Sequence, residues 1–259
     1  MGAKMIFYSE HYEKCKNGNA SLYDHVFEMN PFALNSLDVK TLAKTVDGMI
    51  SYNNGCVEDQ WSIKLENISY IPQLESICKD LATQIEEKYF GSPCKFEFIH
   101  CYRNKTTATK ESSWKWHYDD CPREFMKVGL YLNDVNTDNG CMQILNSKSG
   151  PKEVESYRTH PNAIKGDPPP VYPKSRIPDT EVDRLLSDGY EKHNVVGPSG
   201  TNFLFTPNII HRATVPKVGV TPRDVIIFFV RPSLTKITNY TRAANYFKSG
   251  KNVKRYELD

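Results

Sequence analysis

The chain has 259 residues, 39% hydrophobic and 25% charged, which is enough apolar content to bury a core and too much for extensive disorder. Lysine plus arginine exceed aspartate plus glutamate by only 33 to 31, and the one basic cluster is the modest tail of Lys248, Lys251, Lys254 and Arg255, so neither nucleic acid nor an anionic membrane is implied as a partner. No apolar run is long enough to span a bilayer, and residues 1–6 carry neither a myristoylation signal nor a following apolar stretch, so a cytoplasmic protein is expected.

From Ser36, the apolar residues Leu37, Leu42, Ala43, Val46, Met49 and Ile50 recur at helical spacing. A second helix is expected from Pro72, a good first-turn residue, through Leu74, Ile77, Cys78, Leu81, Ile85 and Tyr89, with Gly91 following. Both should pack on the outside of a sheet. Beyond Gly91 the period changes to two: Lys95 to Arg103 alternates, with Phe96, Phe98, His100 and Tyr102 on one face. Phe125 to Leu132, Cys141 to Leu145, Thr201 to Phe205 and Asp224 to Val230 are short apolar or alternating runs bounded by turn residues. Many short strands of this kind predict a sandwich or jelly roll.

Residues 151–189 interrupt the rhythm with Pro161, Pro168-Pro169-Pro170, Pro173 and Pro178, then a short helical stretch around Val182 to Leu186. A Pro-rich insertion of this length is a functional lid or a surface excursion. As a lid it would lie over the mouth of the barrel, with Arg158, Lys165 or Arg176 available to an anionic group. The expected organisation is one domain: 1–94 as helical support, 95–232 as the β core with the insertion at 151–189, and 233–259 as a C-terminal extension. The seven cysteines are odd in number and form no C-x-x-C pair, which predicts free or partly buried thiols in a reducing compartment.

The informative stretch is Trp114-Lys115-Trp116-His117-Tyr118-Asp119-Asp120. In an extended segment, residues two apart point to the same side, so His117 and Asp119 can present an imidazole and a carboxylate to one ion. His-x-Asp alone is a weak signal. Its weight comes from context: Phe205-Thr206-Pro207-Asn208-Ile209-Ile210-His211 offers a second imidazole at the close of a hydrophobic strand. Two histidines and a carboxylate on one face leave positions open for a chelating cosubstrate and O2, as in non-haem Fe(II) oxygenases, with zinc as the competing metal. Arg223 opens the apolar run Asp224 to Val230, and a guanidinium there matches the distal carboxylate of 2-oxoglutarate. Arg231 shares its parity but lies at the opposite rim.

From about Phe96 to Pro232 the chain resembles the phytanoyl-CoA dioxygenase-like family of Fe(II)/2-oxoglutarate oxygenases. The matching residues are Trp116-His117-x-Asp119, Leu132-x-Asp134-Val135-x-x-x-Asn139-Gly140-Cys141-Met142-Gln143-Ile144, His211-Arg212-Ala213 and Arg223. The resemblance implies a double-stranded β-helix, mainly β with flanking helices, with His117, Asp119 and His211 as iron ligands, Arg223 as the anchor of 2-oxoglutarate, and no catalytic residue beyond the ligands. Asn139-Gly140 is then a turn between strands. The family often has Pro-Gly-Ser-His where this chain has Leu145-Asn146-Ser147-Lys148, and a Trp where Gly129 stands. Tyr131, on Gly129's face, or else Thr214 could fill the space and donate a hydroxyl to 2-oxoglutarate, although plain packing suits either. Arg103, Trp116, Tyr118 and Arg212 are candidates for contact with a small organic substrate. Because Asp119 leaves no vacant carboxylate position for halide, hydroxylation is favoured over halogenation. A β-barrel binding protein that has lost its chemistry and a zinc-dependent hydrolase on a similar barrel are the competing readings.

Overall fold

In the computed structural model, which describes residues 27–107, 112–119, 125–147, 176–207 and 209–248, the change of period at Gly91 is a change of layer. Helix α1 (Ser36–Ser51) starts where Asn35 accepts from the backbone N–H groups of Leu37 and Asp38 at 3.0 and 3.3 Å. It buries Val39, Leu42, Val46, Met49 and Ile50. Leu37, expected on this face, is 70% exposed, because in the first turn Val39 takes the inward position. Helix α2 (Pro72–Ile85) begins with a proline whose missing N–H has no partner to lose. It continues through one wider turn, Glu86–Phe90, and stops at Gly91 in the left-handed region with φ 60°.

Among the described residues eleven strands precede, follow or thread between the helices: β1 (Phe27–Met29), β2 (Cys56–Glu58), β3 (Ser62–Leu65), β4 (Cys94–Asn104), β5 (Met126–Tyr131), β6 (Met142–Ser147), β7 (Tyr190–Val195), β8 (Asn202–Phe205), β9 (Ile210–Ala213), β10 (Asp224–Pro232) and β11 (Asn245–Tyr246). A large sheet runs β1-β8-β5-β10-β4-β3-β2 with β11 beside β4, and a small sheet runs β7-β6-β9. All pairings are antiparallel except β11 with β4. The chain is therefore mainly β, with two sheets and the helices α1 and α2 on one outer face, in the jelly-roll arrangement. Asn139-Gly140 closes a turn, with Gly140 at φ 96° and Asn139 donating to the Asp134 carbonyl at 2.7 Å.

The large sheet separates two apolar clusters. Ile226, Phe228 and Val230 of β10, Met126, Val128 and Leu130 of β5, and Ile99 and Cys101 of β4 meet α1 and α2 on one side. Val225 and Ile227 of β10, Tyr131 of β5, and Phe203 and Phe205 of β8 join Ile144 and Val195 of the small sheet on the other. The face expected for β4 breaks at Phe96. Phe229 pairs with Phe98 but Val230 pairs with Phe96, so Glu97 is an extra residue and the bulge reverses the alternation. Phe96 consequently turns toward the helices, edge-on to Phe228 and Tyr240, while Phe98 and His100 face Phe229. Arg231 sits at that far end, its Nε donating to buried Glu97 at 2.9 Å.

Residues 148–175, which hold most of the Pro-rich insertion with Arg158 and Lys165, lie outside the described residues. From Arg176 onward the segment is packed: Ile177 N–H donates to the Trp116 carbonyl at 2.9 Å, and helix α3 (Asp179–Ser187) buries Val182 and Leu185. Among the described residues, Cys56, Cys78, Cys94, Cys101 and Cys141 are free thiols, and no helix is long and apolar enough to cross a membrane.

Gly129 stands where Phe203 crosses from the neighbouring strand. A Cβ at this position would lie 2.0 Å from Phe203 Cζ, so the Phe203 ring fills the space of the missing side chain. Gly129→Ala is expected to cost about 1–3 kcal/mol in denaturant unfolding, the usual size of an overpacking penalty. Pairing it with Phe203→Leu should recover part of the loss, and an unchanged midpoint in the single variant would contradict this packing.

Candidate metal centre

Backbone pairing brings together two segments distant in sequence. His117 N–H donates to the His211 carbonyl at 3.0 Å and His211 N–H returns the bond to His117 at 2.8 Å, a reciprocal antiparallel pair that sets both side chains on one side. Asp119, two residues on, is tied by its N–H to the Pro207 carbonyl at 3.0 Å. The donor atoms of His117, Asp119 and His211 all lie within 4.8 Å of one another. His211 Nε2 is 3.3 Å from Asp119 Oδ2, and His117 Nε2 is 3.8 Å from Asp119 Oδ1.

The tautomers follow from the neighbours. His117 Nδ1 meets the Lys115 carbonyl at 2.8 Å and His211 Nδ1 meets the Ile209 carbonyl at 2.7 Å. A carbonyl only accepts, so each Nδ1 carries the proton and each Nε2 presents a lone pair to the centre. Burial and then the neighbouring His211 hold His117 down to about 3, overriding the pull of Asp119, so its imidazole is neutral. For Asp119 burial acts upward, but the charge of the Lys127 ammonium beside it outweighs that and keeps the carboxyl well below its ordinary range. Two imidazole nitrogens and one carboxylate oxygen on one face suit a divalent metal with open positions, and the donor set fits Fe(II).

The centre opens into a cavity of about 530 Å3, within the range of small-ligand sites. Arg223 lines it and is 2% exposed. The backbone of Arg223 is fixed on both sides, its carbonyl accepting from Asn104 and its N–H donating to Asn139. Its Nε has no hydrogen-bond partner, and no carboxylate among the described residues forms an ion pair with it. A buried guanidinium in that state is a site awaiting an anion, and the planar fork suits a carboxylate.

Other expected contacts fall elsewhere. Tyr131 is buried beside Arg223, but its hydroxyl donates to the Val195 carbonyl at 2.9 Å and accepts from Met142 N–H at 3.3 Å. Thr214 donates to the Cys141 carbonyl at 2.9 Å. Neither is among the cavity-lining residues. Arg103 is turned away into a forked pair with Asp224, both contacts 2.6 Å, and reaches Asp47 at 2.8 Å, which ties α1 to β4 and β10. Tyr118 is core. Trp116 lies under the Arg212 guanidinium at 4.4 Å, and of these four substrate candidates Arg212 alone reaches the cavity.

Three cavity residues were not singled out from the sequence. Lys127 pairs with Asp119 and stands over the Phe229 ring at 4.3 Å. Asn104, 3% exposed, has a buried Nδ2 without a partner next to Arg223. His100 has a buried Nε2 without a partner. The signal for Lys127 was a charged residue at an inward position of an otherwise apolar strand. Asn104 and His100 need the register of β4 against β10.

No family model matches the chain, so the phytanoyl-CoA dioxygenase-like resemblance rests on the motifs themselves. L-proline trans-4-hydroxylase from Streptomyces griseoviridis is 19% identical over 211 residues, which cover 71% of this chain and 74% of that enzyme. Among solved structures, EctD from S. alaskensis in its apoform aligns with a TM-score of 0.57 at 15% identity, over 81% of this chain and 74% of that one. HygX from Streptomyces hygroscopicus, with nickel and 2-oxoglutarate bound, aligns with a TM-score of 0.51 at 13% identity, over 82% and 85%. Likeness at these identities establishes a shared fold.

Proposed function

We propose that this chain is an Fe(II)- and 2-oxoglutarate-dependent oxygenase that hydroxylates a small organic molecule. The observation that carries this reading is the pairing, in one cavity, of the His117–Asp119–His211 cluster with the buried Arg223 guanidinium, whose Nε lacks a hydrogen-bond partner and which forms no ion pair among the described residues. The hydroxylase and the 2-oxoglutarate-bound protein to which the chain is similar support it. The overall change would be substrate, O2 and 2-oxoglutarate to hydroxylated substrate, succinate and CO2.

In this reading His117 Nε2, Asp119 and His211 Nε2 hold the metal, and Arg223 takes the distal carboxylate of 2-oxoglutarate, with Asn104 Nδ2 beside it as a further donor. Bound together, iron and 2-oxoglutarate supply the oxidising chemistry. The chain's own contribution is position and dryness. The Lys115 and Ile209 carbonyls lock the two rings, and the charges around Asp119 keep it ionised as a ligand. Phe205, Ile227 and Phe229 give the cavity an apolar wall that limits water.

The test is turnover of 2-oxoglutarate. Protein loaded with Fe(II) under air should release succinate slowly without any further substrate and faster with the correct one. Absence of succinate from protein shown to carry both iron and 2-oxoglutarate would overturn the assignment.

A further inference from the structure

Beside the metal cluster, on the inner face of the large sheet, Lys127 of β5 and His100 of β4 meet across one aromatic ring. Lys127 Nζ is 4.3 Å from the centroid of the Phe229 ring, and the His100 ring is 5.5 Å from the same ring. Both residues line the cavity. Each is incomplete in its own way.

Lys127 is 7% exposed, and its countercharge is Asp119. A buried ammonium is costly without a partner. In the metal-loaded protein Asp119 would share its charge with the ion, which leaves the buried Lys127 ammonium with less than a full countercharge. An anion from outside the chain then becomes the means of balancing it. His100 adds the second need: its Nε2 is buried and bonded to nothing. Burial, then the charges of Lys127 and Lys64, push His100 down to about 4, so the ring is neutral and can give an Nε2–H to an acceptor oxygen without adding charge.

We propose that Lys127 and His100 form a seat for a carboxylate of the molecule to be oxidised. One oxygen accepts from Lys127 Nζ and the other from His100 Nε2–H, with the Phe229 ring as the floor between them. That the carboxylate belongs to the oxidised substrate rests on the oxygenase reading above; the anion seat itself does not. A carboxylate fits better than a phosphate, because one ammonium and one neutral imidazole offer too few donors and too little charge for a dianion. An amine is disfavoured at this point, since the groups it would meet are the Lys127 ammonium and a His100 Nε2–H, while Lys64, which also lines the cavity, is paired with Asp59 at 2.7 Å. Lys127 touches Asp119, so the seat adjoins the metal cluster and the oxidised carbon lies within a few bonds of the acid group.

The experiment uses full-length protein loaded with Zn(II), which is redox-inert and diamagnetic, and with 2-oxoglutarate to occupy Arg223. Butyrate and butyramide serve as matched probes, followed through the ring 1H–15N signals of His100. Butyrate should shift the His100 signals saturably and butyramide should not. His100→Phe and Lys127→Met should each weaken butyrate binding, measured by calorimetry, by roughly tenfold or more. If Lys127→Met fails to load metal, His100→Phe carries the comparison. Equal response to acid and amide, or no saturable response to butyrate, overturns the seat. Failure of the Zn(II)-loaded protein to bind 2-oxoglutarate would instead count against the oxygenase reading, and butyrate added to the metal-loaded protein alone would then judge the seat.

Discussion

Substituting His117 or His211 by alanine is expected to remove the metal and, with it, all conversion of 2-oxoglutarate. Each ring supplies one of three donor atoms gathered within 4.8 Å, and no other group of three metal-binding side chains stands among the described residues. Partners that merely orient a ligand typically cost about 10–100-fold in metal affinity when lost. Loss of a ligand itself should exceed that, and succinate formation should fall to background. Titration with Fe(II) under anaerobic conditions provides the readout: the unaltered protein should bind one ion per chain. Normal iron affinity in both His117→Ala and His211→Ala would remove the basis of the site. Because the His117 and His211 backbones already pair with each other, these truncations should leave the strand geometry in place, and the circular dichroism spectrum should show it.

The second large effect belongs to Arg223 and is separable from the first. Losing one partner of a buried charge-assisted pair costs on the order of 2–5 kcal/mol, which corresponds to tens to thousands of fold in 2-oxoglutarate affinity. Arg223→Leu should show this loss while iron affinity is unchanged, since Arg223 is not among the clustered donors. Arg223→Lys should fall between, because an ammonium keeps the charge and loses the fork. Calorimetry on the metal-loaded, oxygen-free protein measures both. Comparable affinity in Arg223→Leu would dismiss Arg223 as the anchor. Two other cations are already occupied: Arg231 is bonded to Glu97 at the far end of β10, and Lys217 pairs with Asp138 at the surface.

What could be read in advance was whatever repeats. The two long helices and the strands β4, β5, β8 and β10 announce themselves through period, because each buries a continuous face. Strands β1, β2 and β11 have three, three and two residues, too few to show a period, and they exist because a longer neighbour offers a free edge. The bulge at Glu97 was equally hidden, since it depends on how β10 lies against β4. At the site, His117, Asp119, His211 and Arg223 were legible as chemistry: polar groups in apolar or strand-like surroundings need a reason. Lys127 meets the same criterion, as a charged residue at an inward position of the apolar strand β5. For Tyr131, expected on Gly129's face with a hydroxyl for 2-oxoglutarate, the destination of that hydroxyl, the Val195 carbonyl, is a matter of tertiary contact that spacing cannot give. The Gly129 space had a third claimant, Phe203, from a strand that pairs with β5 only in the folded chain.

Strand β10 alternates between two sets of neighbours. Val225, Ile227 and Phe229 look toward the cavity side, whereas Ile226, Phe228 and Val230 look toward the helices. Adjacent residues in one stretch of sequence therefore answer to different selective demands. Ile227 and Phe229 answer to whatever fills the cavity, Val225 to the small sheet and the even positions to the helices, and substitutions on the two sides should combine additively wherever they share no partner. A library aimed at new chemistry would therefore vary Ile227 and Phe229, which line the cavity, and keep Val225, which is buried in the core between the two sheets.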